Sequence, residues 1–178
     1  MVERQPYEVL RGLGGGVEVR RYPAHRVVSV DVSSGIEQAG NIGFRPLVGY
    51  ISGANDSGQK IAMTTPVLLE PHAHGQQTVS FVLPEKWWTG DVPHPRQDGV
   101  RVEERDASTV GAIRFRGLWR EDRVREHETI LRRVLAQHGI ETVGEPFFAR
   151  YDPPSVPGMF RRNEVLLPVS LASKTRGD

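Results

Sequence analysis

Val-Glu-Val-Arg-Arg-Tyr-Pro-Ala-His-Arg-Val-Val-Ser-Val, residues 17–30, returns in outline as Val-Arg-Val-Glu-Glu-Arg-Asp-Ala-Ser-Thr-Val-Gly-Ala-Ile, residues 100–113. Val17, Val19, Ala24, Val27 and Val30 fall on Val100, Val102, Ala107, Val110 and Ile113 at a constant offset of 83. Farther along, Phe81-Val82-Leu83-Pro84 falls on Val165-Leu166-Leu167-Pro168 at an offset of 84. A register held this long to within one position points to an internal duplication, with halves at about 7–84 and 99–169.

Working outward, the apolar patterning assigns elements to each half. Alternation predicts strands at Tyr7–Leu10, Val17–Tyr22 and Arg26–Val32, the first two joined by a turn over Gly12 to Gly16. Ile36, Ala39, Gly43, Leu47 and Tyr50, three or four apart, predict a helix over 36–51 with Ser34 as N-cap, although Gly40, Gly43 and Pro46 weaken it. Strands at Ile61–Leu69 and Thr78–Leu83 follow. The second half repeats the order: strands at 100–102 and Val110–Phe115, a helix over Glu121–Gln137 that opens acidic and stops at Gly139, then strands at Phe147–Tyr151 and Asn163–Val169. Two β-β-α-β-β units give an α+β fold: a distorted eight-stranded antiparallel barrel with two helices, or a pair of facing sheets, with a ligand groove between the halves.

The 178 residues, 38% hydrophobic and 25% charged, suffice for a single domain over residues 1–178 without staples. The absence of cysteine excludes disulfides, thiolate nucleophiles, Cys-ligated metal clusters and covalent c-type haem attachment. A net charge of +1 argues against a nucleic-acid partner recruited by bulk charge. No apolar run is long enough for a membrane span and no signal peptide opens the chain, so a cytoplasmic location is expected.

Other motifs fail on context. Gly53 to Lys60 imitates a phosphate loop, but Ile61 stands where a Ser or Thr must follow the lysine, and a strand follows where a helix should. The Gly12 to Gly16 run leads into a strand, so it is no dinucleotide fingerprint. His72 and His74 lie in a Pro- and Gly-rich turn, and no Ser/His/Asp arrangement emerges.

Five blocks carry a family resemblance: Val-Glu-Val-Arg-Arg-Tyr-Pro (17–23), Gly-Tyr-Ile-Ser-Gly-Ala-Asn (49–55), Lys-Ile-Ala-Met-Thr-Thr-Pro-Val (60–67), Ala-Arg-Tyr-Asp-Pro-Pro (149–154) and Arg-Arg-Asn-Glu-Val (161–165). In this order they resemble the SOUL family of haem-binding proteins, from about Tyr7 to Val169. The resemblance implies the barrel with two flanking helices and reversible binding of haem or another tetrapyrrole in a surface cleft beside the first helix, with no catalytic residue required. The cleft positions it implies are Asn41, Phe44, Val48 and Tyr151. Phe44 and Val48 share a face distinct from the one through Ala39, Gly43 and Leu47; they form either a second apolar stripe or part of one broad core-facing stripe.

A porphyrin also needs cations for its propionates and accepts an axial ligand. Arg45, Lys60, Arg161 and Arg162 are the candidate cations. Some relatives carry a histidine where Arg21 stands here; His25, nearby, is the candidate axial ligand. Met63 is either a core methionine or a second candidate axial ligand in the cleft. Two other classes stay open. One is an enzyme or a cationic-ligand-binding domain of the effector-binding type, with Glu164 in a low-dielectric groove as the working carboxylate. The other is a protein-interaction module without a small ligand.

Overall fold

The structure, a computed structural model, describes residues 1–171. Its strands are β1 (Glu3–Arg4), β2 (Glu8–Gly14), β3 (Val17–Tyr22), β4 (His25–Ser33), β5 (Thr64–Thr65), β6 (Val67–Pro71) and β7 (Gln76–Val82) in the first half. The second half supplies β8 (Arg101–Arg105), β9 (Ser108–Arg116), β10 (Glu141–Thr142), β11 (Phe147–Arg150) and β12 (Arg162–Ser170). The helices are α1 (Ile36–Ile51) and α2 (Glu121–Gln137). The main sheet runs in the order β2-β3-β9-β12-β11-β6-β7-β4-β8, with β10 added alongside β12. All of its pairings are antiparallel.

Chain connectivity forces this sheet to bend. β3 and β4 stand six positions apart, roughly 29 Å if the sheet were flat, yet only Pro23 and Ala24 join them, a reach of at most about 11 Å. Asp106 and Ala107 join β8 to β9 under the same constraint. The register explains the corner. Tyr22 faces Ser108 on one side of it and His25 faces Arg105 on the other, so one antiparallel register runs unbroken through both two-residue links. The two long strands turn the corner together, as strands do when they pass from one sheet layer to another. Val19 opposite Gly111 and Val28 opposite Val102 map onto each other under the offset of 83. In the later strands the correspondence slips by two residues, for Phe81 faces Val28 whereas Val165 faces Ile113.

The expected closed barrel is therefore corrected: β2 and β8 each have one neighbour, and the sheet stays open. The strand expected over 61–69 is broken, because Pro66, which has no N–H to donate, separates β5 from β6. β2 runs on to Gly14, which narrows the glycine turn to Gly15 and Gly16. Gly35, not Ser34, caps α1, and the Ser34 hydroxyl donates to the Gly35 carbonyl instead.

Both helices cover one face of the sheet. Val28, Val79, Phe81, Ile113, Val165 and Leu167 face them, and Leu47, Leu131 and Leu135 answer from the helices. α1 lies over β4, β6 and β7, and α2 over β9 and β12. Tyr22, Val27, Leu68, Val110, Ala149 and Leu166 pack on the opposite face, as strand parity requires. The Trp119 indole N–H, donating to the Ile36 carbonyl at 2.9 Å, pins the start of α1 to the link before α2.

Candidate functional site

α1 presents two flanks. Gly43 brings it so close to β7 that a Cβ there would stand 2.6 Å from Val79. On the other flank Phe44 stays 44% exposed, its ring resting on Phe81 with centroids 5.4 Å apart. Between this flank and the end of β11 lies a largely apolar cleft of about 360 Å³. Gly40, Asn41 and Phe44 form the helix wall. Met63, Thr65 and Val67 line the β5–β6 side, and Arg150 through Pro154 form the far wall, with Val2 completing the lining.

Two polar arrangements underlie the cleft. On the far wall the Tyr151 hydroxyl donates to Glu164 Oε2 at 2.8 Å. Glu164 is fully buried; Arg20 grips both its oxygens at 2.8 and 2.9 Å, and Arg114 Nε reaches Oε1 at 3.3 Å. Arg20 lies over the Tyr7 ring, its Cζ 4.2 Å from the centroid, and donates to the Tyr22 hydroxyl. Burial works to lower the Arg20 pKa, but the hydrogen bonds and charge of Glu164 overcome it and push it up. Burial, reinforced by the Glu164 charge, pushes the Tyr151 phenol far above its usual range, and burial takes Tyr22 to about 12. Both phenols are neutral at physiological pH.

The second arrangement is Arg150. Its Nη1 would lie 2.8 Å from a Cβ at Gly40, and its Cζ stands 5.5 Å over the Trp119 ring. Among the described residues its side chain makes no hydrogen bond and no ion pair. Burial pulls its pKa down, and the charge of Arg161 adds to that. The nearby carboxylate in the wall, Asp152, is committed elsewhere: it accepts from the Arg162 backbone N–H, Nε and Nη2 at 2.7, 2.9 and 2.7 Å. These bonds hold the Asp152 carboxyl below its ordinary value.

Of the residues singled out in the sequence, Asn41, Phe44, Met63 and Tyr151 come together in the cleft. Met63 lines the cleft and also packs on the core. Val48 packs on the core and is not in the lining. Arg45 and Lys60 are exposed and lie outside it. Arg161 braces the wall from behind, donating to the Val156 and Pro154 carbonyls at 2.8 and 2.7 Å.

His25 is elsewhere. It lines a separate cavity of about 390 Å³ with Tyr22, Leu68 and Leu166, on the sheet face opposite the helices. Its Nδ1 meets the Pro23 carbonyl at 2.9 Å and its Nε2 lies 3.3 Å from Gln5 Nε2. Parity explains the miss: residue 25 falls on the same sheet face as Val27, away from α1. Glu164 does not fit a general base or a seat for a cationic ligand, because protein donors already occupy both oxygens and no solvent reaches them. Its partners are Arg20, Arg114 and Tyr151, not the adjacent Arg161 or Arg162. Sequence reasoning missed Arg150, although Phe148 on the helix-facing side puts residue 150 on that side by parity.

A bent antiparallel sheet with two helices on one face and a largely apolar cleft at the flank of the first defines an α+β domain. The chain belongs to the SOUL heme-binding protein family, whose model matches residues 2–168. Mouse "Heme-binding protein 1" is 32% identical over 93% of this chain and 92% of that protein. Human "Heme-binding protein 2" is 30% identical over 86% and 78%. Among solved structures, the EcmrR C-terminal domain superimposes with a TM-score of 0.66 over 93% of this chain and 99% of that one, at 13% identity. A hydrolase from Listeria innocua gives 0.60 over 85% and 91%, at 11% identity. These two likenesses show a shared fold.

Proposed function

We propose that the protein binds haem or a related tetrapyrrole reversibly in the cleft between α1 and the end of β11. The observation that carries this reading is Phe44, an aromatic ring held half-exposed over an apolar slot by its contact with Phe81. Family membership and the relatives' names supply the ligand class. Burying about 300 Å² of apolar macrocycle at ~25 cal/mol per Å² contributes roughly 7 kcal/mol before association costs, enough to approach micromolar binding. The cleft itself supplies no imidazole, and the Tyr151 oxygen is committed to Glu164, which leaves the Met63 thioether as the soft donor in the lining. Affinity on this reading rests on shape, and iron-free protoporphyrin binds within about tenfold of haem.

The test is a titration of haem and of protoporphyrin, followed by the Soret band and by tryptophan fluorescence. Phe44→Asp is expected to weaken binding far more than His25→Ala. The opposite ranking, or no saturable change up to tens of micromolar ligand, overturns the proposal. We also infer that the two halves are copies of one β-β-α-β-β unit, a reading supported by the offset of 83 common to the sequence and the corner register.

A further inference from the structure

We infer that Arg150 is a carboxylate subsite at the base of the cleft, and that it selects tetrapyrroles carrying at least one free acid over neutral ones. The inference rests on the cleft being the ligand site and names what that site reads. A guanidinium drawn into an apolar cleft loses hydration, and without a partner that loss is uncompensated. Arg150 is part of the way there: half-buried, it lines the cleft, its guanidinium has no hydrogen-bond or ion-pair partner among the described residues and is left to water, and the wall carboxylate, Asp152, is triply held by Arg162.

The surroundings are shaped to admit the guanidinium rather than to neutralise it. Gly40 leaves the space that any Cβ would take from Nη1, and Trp119 lies beneath Cζ. The pKa of Arg150 is displaced in the direction expected of a desolvated cation that has gained no counter-charge. An incoming carboxylate supplies that charge together with acceptors for a charge-assisted, fork-like pair of hydrogen bonds. A purely structural arginine would instead be satisfied in the free protein, as Arg20, Arg161 and Arg162 are. One cation calls for one acid, so a porphyrin with a single free propionate can turn it inward and leave its other edge in water.

The experiment compares protoporphyrin IX, its monomethyl ester and its dimethyl ester on the intact protein by fluorescence titration. Wild type is expected to bind the diacid and the monoester within about twofold of each other, and the diester about ten- to a hundredfold more weakly. Arg150→Met is expected to erase that preference, leave diester affinity unchanged, and keep the thermal midpoint, because the guanidinium has no protein partner to lose. Gly40→Ala keeps the charge but crowds Nη1, and is expected to reduce the preference. Arg133→Met, an exposed cation on α2, is expected to retain it. An acid preference that survives Arg150→Met, or a large loss of stability in that variant, overturns the subsite. Binding that Phe44→Asp leaves intact overturns the cleft itself, which separates the two failures.

Discussion

Replacing Glu164 by glutamine removes one charge and almost no volume, which makes it a clean probe of the buried network behind the cleft. The carboxylate accepts from Arg20 at 2.8 and 2.9 Å, from Tyr151 at 2.8 Å and from Arg114 at 3.3 Å. A glutamine keeps one acceptor oxygen and turns an NH₂ toward donors that need an acceptor. Arg20, 1% exposed, is then left with the rim carboxylate Glu18 as its remaining ionic partner. Removing one member of a buried pair costs about 3–5 kcal/mol. At about 2–4 °C per kcal/mol for a domain of this size, the thermal midpoint falls by roughly 6–20 °C. Scanning calorimetry reads this directly, and urea unfolding should show a lower midpoint at an unchanged slope. The double change Arg20→Met with Glu164→Leu, which removes both charges, is expected to recover much of the loss. Haem affinity should fall in the single variant, since Tyr151 in the cleft wall loses the carboxylate to which its hydroxyl donates. A loss below about 1 kcal/mol, or a double variant no better than the single, refutes the reasoning.

Three further outcomes follow from particular contacts. Gly43→Ala places a Cβ 2.6 Å from Val79 and is expected to cost about 1–3 kcal/mol of unfolding free energy, largely restored by adding Val79→Ala. Burial lowers the His25 pKa below the usual 6.5, although the Pro23 carbonyl and Glu70 oppose this and Arg105 assists it. The unfolded chain therefore binds the proton first, so stability held above about pH 6.5 is lost as pH falls toward the folded-state value. Denaturation midpoints measured from pH 7.5 to 5 should show that decline, flattened in His25→Gln; parallel curves would contradict it. Asp152→Asn keeps one acceptor oxygen but loses the charge and at least one bond to Arg162, and should lower the thermal midpoint, and wild type should lose a comparable increment as acid protonates Asp152 below its ordinary value of 3.8.

Local periodicity determined a good deal on its own. The helices at 36–51 and 121–137 stand at the bounds their apolar spacing predicts, and α1 tolerates Gly43 because the missing Cβ is what lets it seat against Val79. The 83-residue recurrence reappears in the register at the corner, where Val19 faces Gly111 as Val102 faces Val28, although no strand pairing could be read from it in advance. Side-chain partners were not legible. Glu164 lies 144 residues from Arg20, and no local pattern announces that pair or the closing of the carboxylate to ligands. The open sheet, the sending of His25 to the face away from α1, and the unpartnered charge of Arg150 were likewise decided only in three dimensions. Whether an ionisable group is paired, desolvated or exposed depends on which distant strand comes to lie beside it, and the sequence records the residue but not its neighbours.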